Sequence, residues 1–156
     1  MSQSGVLRLR DFLPYRLSIA SNMVSDVIAS AYRSLFGLTV PEWRLITVIA
    51  ERGSTTQFGL GVDTRMDKVT VSRAASGLVE RGLVRRSPNP NDKRSHLLSL
   101  TAEGEDLYAQ VAPKALALEQ AVLAEFSPAE IATLVGMLDR LEEAATRLSE
   151  DGGAGG

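Results

Sequence analysis

The 156-residue chain contains no cysteine and one histidine, His96. Without thiols there is no disulfide framework, thiolate nucleophile, thiol redox sensor or cysteine-ligated zinc. A lone histidine leaves no His cluster for a metal. No run of about 18 apolar residues occurs, and no apolar stretch follows a basic N-terminal one, so neither a membrane span nor a signal peptide is expected. The expectation is a soluble cytoplasmic protein with no membrane partner. An enzyme would need a nucleophile–base pair or a metal cluster, and the Ser, Asp and Lys residues sit in no such motif. No catalytic residue, cofactor or metal is expected.

Apolar residues make up 44% of the chain, enough for a core at a one-domain length. The net charge of −2 conceals an uneven distribution. Residues 63–94 carry eight basic and four acidic side chains, whereas residues 101–156 carry three basic and eleven acidic. A basic middle beside an acidic tail points to a local polyanion contact, the alternative being a solvated charged loop.

Helical periodicity dominates. From Asp11 to Phe36 two overlapping apolar stripes predict a helix that packs on two surfaces and stops at Gly37. Thr39-Val40-Pro41-Glu42 has capping-box spacing and opens a helix ending near Gly53. Thr56 opens a brief segment to about Val62. Asp67 is placed as the N-cap of a helix whose core face is Val71, Ala74, Ala75, Leu78 and Val79, up to Gly82. The period then changes. Leu83–Ser87 and His96–Leu100 read as strands joined by the turn-rich Pro88–Asp92, a hairpin with a long tip. Helix returns at Thr101, where Pro113 is expected to kink or split it. Ser127-Pro128-Ala129-Glu130 repeats the capping box before a last helix with coiled-coil-like apolar spacing. The fold class is mainly α with a small β-hairpin wing: a winged helix-turn-helix at 38–100, flanked by long dimerisation helices at 11–36 and 101–149. Residues 1–7 and 150–156 are expected to be disordered ends.

The stretch MDKVTVSRAASGLVERGLVRRSPNPNDKRSHLLSLTAEG, preceded by LTVPEWRLITVIAERG, closely resembles the MarR family of bacterial regulators. The tripeptide Asp92-x-Arg94 alone is unspecific; after V-S-R and R-G-L-V, and before L-T-x-x-G, it is specific. The resemblance implies a DNA-binding regulator that reads DNA through about Thr56 to Leu100. Major-groove candidates are Lys68, Val69, Thr70, Ser72, Arg73 and Ser76. Thr70 and Arg73 are expected on bases, and Lys68 and Ser72 on phosphate. In the wing, Arg94 is expected to enter the minor groove, oriented by a charge-assisted bond from Asp92, with Arg85, Arg86 and Lys93 on phosphates. A merely solvated Arg73 is the competing reading, and His96 reads as strand filler.

The resemblance further implies a homodimer on a near-palindromic double-stranded operator, acting as a repressor released by a small molecule. Candidate ligand-binding residues are Tyr15, Arg16, Ile19, Met23 and Trp43; for Tyr15, Met23 and Trp43 a core role competes. The opening DFLPYRLSIASNMVS resembles a branch of the family in which some members answer to aromatic acids or their coenzyme A thioesters. The missing cysteine removes the peroxide-sensing mode of some relatives. One departure concerns Thr56–Val62, where Gly59 and Gly61 stand at positions that relatives more often fill with glutamate and alanine. Each glycine costs roughly 1 kcal/mol inside a helix. The rival function is a winged-helix adaptor or antirepressor that contacts only protein.

Overall fold

A computed structural model describes residues 5–153. The chain divides into two compact units, Met1–Leu118 and Glu119–Gly156. A 3-10 turn at Leu9–Asp11 precedes α1 (Leu13–Ala29), α2 (Arg33–Phe36), α3 (Val40–Arg52), α4 (Gln57–Thr64) and α5 (Lys68–Glu80). Strands β1 (Val84–Pro88) and β2 (His96–Leu100) form an antiparallel hairpin, and α6 (Ala102–Val122) and α7 (Pro128–Gly153) complete the chain.

The expected helix over 11–36 is interrupted. At Ser30–Tyr32 the backbone tightens into bonds from residue i to i−3, and the Ser30 hydroxyl donates to the Val27 carbonyl at 2.7 Å. This turn sends Ala31 and Tyr32 into the core, where Tyr32 stacks on Trp43 at 5.3 Å. Gly37 ends α2 in the left-handed conformation, φ 62°, as its position predicts. The Thr39–Glu42 capping box forms reciprocally at 3.2 and 3.0 Å, and so does that of Ser127 and Glu130 at 3.1 and 3.0 Å.

The core of the first unit joins Leu45, Ile46 and Ile49 of α3 to Leu60 of α4 and to Val71, Ala75 and Leu78 of α5. Leu98 of β2 and Leu107 and Val111 of α6 close it. Thr55, just before α4, makes an isolated antiparallel bridge to Leu98, with backbone bonds of 3.1 and 2.7 Å. This bridge fastens the hairpin to the start of α4.

Three further expectations change. Segment α4 runs to Thr64, two residues past Val62. Helix α6 continues through Pro113 unsplit. The carbonyl that Pro113 cannot bond belongs to exposed Ala109, where water can serve it. Helix α7 continues to Gly153, so 150–153 are helical, while residues 5–8 are irregular. The remainder of both expected ends, 1–4 and 154–156, lies outside the described residues. Among the described residues no helix is long and apolar enough to cross a membrane.

Candidate nucleic-acid interface

Asp67 starts the candidate reading helix. Its carboxylate accepts from the Thr70 amide and hydroxyl, both at 2.8 Å, and these bonds hold its pKa below the ordinary aspartate value. Val71, Ala74, Ala75 and Leu78 are buried, which leaves Lys68, Val69, Arg73 and Ser76 exposed and Thr70 and Ser72 half-buried. The Thr70 hydroxyl therefore spends its proton on the cap and retains acceptor capacity for a ligand. Arg65, between α4 and α5, is left-handed at φ 55°, the one non-glycine residue with positive φ among those described.

The wing is tied to this helix. Arg86 Nη2 donates to Ser76 Oγ at 3.3 Å, and Arg85 Nε donates to Ser99 Oγ of its cross-strand partner at 3.3 Å. At the tip, Asn89 Nδ2 donates to Ser95 Oγ at 2.9 Å, and Asn89 Oδ1 accepts from the Asn91 amide at 3.0 Å. Asp92 departs from its expected role. Its Oδ1 accepts from the backbone amide of Arg94 at 2.9 Å, and no ion pair joins the two side chains among the described residues. A short carboxylate two residues upstream closes an Asx turn on the backbone more readily than it follows a long guanidinium. Asp92 shapes the turn, and Arg94 and Lys93 are left exposed.

The wing exit explains the Thr101-Ala102-Glu103-Gly104 element. The Thr101 amide donates to the Leu83 carbonyl at 3.0 Å, and its hydroxyl donates to the Gly82 carbonyl at 2.6 Å. The same Thr101 oxygen accepts from the Gly104 amide at 3.1 Å, capping α6. A Cβ on Gly104 would collide with the Leu83 carbonyl oxygen, so the crossing of helix and strand requires glycine there.

Relatives agree with this geometry. The MarR family profile matches residues 36–95, from the end of α2 into the wing tip. Transcriptional regulator HosA of Escherichia coli O111:H- is 32% identical over 60% of this chain and 69% of its own. The chain belongs to the MarR family. A Thauera aromatica protein named as a putative transcriptional regulatory protein for the hcr operon is 30% identical over 67% of this chain. This chain spans 63% of that relative's length. A crystal structure of a mutant MarR from E. coli, complexed with operator DNA, superposes with TM-score 0.72 at 27% identity. The match covers 88% of this chain and 99% of that one. MarR-family proteins are DNA-binding transcriptional regulators, and this member carries their winged helix.

Of the expected ligand-binding residues, Tyr15, Arg16, Ile19 and Met23 lie on α1 and Trp43 on α3. Tyr15 is half-buried, while Arg16, Ile19 and Met23 are exposed on α1. Trp43 is buried, stacked on Tyr32 and, at 6.0 Å, on Tyr108. Its indole is part of the core, where three aromatic rings bury more area together than apart. Sequence reasoning missed Thr55, whose G-S-T-T surroundings read as loop, and Phe58, whose exposure no local pattern announces.

Proposed function

We propose that this MarR-family protein is a homodimeric repressor that binds a near-palindromic double-stranded operator and is released by a small molecule. The observation that carries the DNA reading is the set of exposed cations that α5 and the wing present, with the two elements bonded to each other. Lys68 and Arg73 are exposed on α5, Arg86 bonds back to Ser76, and Arg94 stands free at the wing tip. Lys68, Val69, Thr70, Ser72, Arg73 and Ser76 are assigned to the major groove. Arg94 is assigned to the minor groove, and Arg85, Arg86 and Lys93 to phosphates, with Asp92 as the former of the turn.

The dimer reading rests on apolar side chains that a single chain leaves in water. They include Leu13, Leu17, Val24 and Val27 of α1 and Leu134, Leu138, Leu141 and Leu148 of α7. Interlocking two copies through 11–36 and 101–149 covers them and spaces two reading heads about 10 bp apart. For the effector, an aromatic acid or its coenzyme A thioester is the proposed class. Arg16 supplies a charge for its anionic group, with Tyr15, Ile19 and Met23 nearby on α1. Binding there acts by favouring a spacing unsuited to DNA.

Fluorescence anisotropy with a duplex from the protein's own promoter region tests the reading. Specific binding that weakens steeply with added salt is expected. Arg94→Ala should cost at least about tenfold in affinity, of the order of one lost groove contact, with the dimer intact. Absence of binding at low salt overturns the DNA reading and favours the protein-only adaptor. A monomer at micromolar concentration in sedimentation overturns the dimer.

A further inference from the structure

Phe58, the second residue of α4, is 84% exposed. It contributes nothing to the cap, which Thr56 provides by accepting from the Gly59 amide at 3.0 Å. As a helix former phenylalanine is poorer than alanine. Phe58 is no part of the core, and with exposed Val62 and Val69 it adds to an apolar surface on α4 and α5 that is open to a partner.

Its surroundings identify that partner. The ring is a ridge between two recesses. One, of about 550 Å³, is apolar, with Val62, Met66 and Val71 in its wall and Lys68 at the same site. The other, of about 220 Å³, is mixed in character, with the cations Arg86 and Arg94 and the imidazole of His96 in its lining. Among the described residues no carboxylate lines either recess. An apolar ridge flanked on both sides by cations suits a ligand that presents an apolar group between two anionic rails. Duplex DNA offers that combination, with thymine C5-methyl groups in the major groove between phosphate strands. Exposed Val62 and Val69 extend the apolar character on the same two helices.

We propose that Phe58 is a specificity-determining DNA contact, its ring packing against a thymine methyl group within the operator. The proposal rests on the DNA-binding reading above. It adds a residue of α4 to an interface otherwise assigned to α5 and the wing. It also gives a use to a side chain that departs from the helix-forming preference of its own segment.

Selection from a random 30-bp duplex pool supplies a high-affinity sequence, which is then titrated by anisotropy. In parallel duplexes each thymine is replaced singly by deoxyuridine, which removes only the methyl group. Wild type should lose affinity severalfold at one thymine position per half-site. Phe58→Ala should bind the parent duplex about tenfold more weakly, in the range of one lost base contact, and be indifferent to that replacement. Its salt dependence should match wild type, because no phosphate contact is lost. Its melting temperature should not fall, because the ring is exposed.

Equal affinity of wild type and Phe58→Ala overturns the inference while leaving the DNA-binding reading intact. So does a loss that singles out no thymine. A change of oligomeric state in Phe58→Ala also overturns it, by giving the ring to a second copy of the chain. Failure of wild type to retain any sequence from the pool overturns the DNA-binding reading and the inference together.

Discussion

The two glycines of α4 are chemically identical and two residues apart, yet the structure predicts opposite responses to the same substitution. A Cβ on Gly61 would meet only the Met66 carbonyl oxygen, at 3.7 Å, an ordinary contact. Gly61→Ala therefore collects the helix-propensity gain alone, about 0.5–1 kcal/mol. For a chain of this size that raises the melting temperature by about 1–4 °C. A Cβ on Gly59 would stand 2.5 Å from Thr55 Oγ1 and 3.4 Å from Thr56 Oγ1. Thr55 is buried, and both of its backbone groups are committed to Leu98. Its hydroxyl can leave only by changing rotamer inside the packed bridge, which costs on the order of the propensity gain or more. Gly59→Ala should therefore be neutral or destabilising. In the background Thr55→Ala, which removes the obstructing hydroxyl but keeps the bridge, the same substitution should become favourable. Thermal unfolding at fixed protein concentration, followed by circular dichroism and by the fluorescence of Trp43, reads all four variants. Equal stabilisation by Gly59→Ala and Gly61→Ala in the wild-type background would refute the reasoning, because it would mean that Thr55 does not set the space above α4.

Gly104→Ala should destabilise by about 1–3 kcal/mol or more, since the collision is with backbone; urea unfolding checks it, and an unchanged midpoint would contradict the close crossing. Asp92→Asn keeps a side-chain oxygen for the Arg94 amide and removes a negative charge from the proposed DNA-binding wing. Affinity in anisotropy titrations should hold or rise, and a fall would restore the charge-pair role. Asp67 has its pKa depressed by the Thr70 bonds, so its contribution to stability is present above the ordinary aspartate pKa and is lost as pH falls through the lower native value. Asp67→Asn retains the cap and should flatten that acid limb of the melting-temperature profile; an identical acid limb in both proteins would rule the residue out as its source.

Much of the reading head was legible in the chain itself. The Thr39–Glu42 box, Asp67 before an apolar face, Gly37 and Gly82 as stops and the Pro/Asn-rich tip are local rules. Each follows from a backbone group that needs a partner or a dihedral that needs a glycine, and tertiary packing had only to accept them. The same holds for the charge asymmetry that points to residues 63–94. The motif residues Asp92 and Arg94 were recognisable as a pair, but only geometry separates a carboxylate that bonds its neighbour's amide from one that bonds a guanidinium.

Long-range packing decided the rest. The break at Ser30 lies within an unbroken helical pattern, and the turn there buries Ala31 and Tyr32 and lets Tyr32 stack on Trp43. Trp43 joins the same stack, a burial that its local sequence does not announce. Gly59 and Gly61 look alike in sequence, and Thr55 looks like loop, until the bridge to Leu98 brings that threonine over one glycine and not the other. Periodicity and caps depend on neighbours a few residues away, so the sequence determined them alone. Which surface each side chain meets depends on residues far along the chain, as Thr55 does on Leu98, and only the folded chain brings those together.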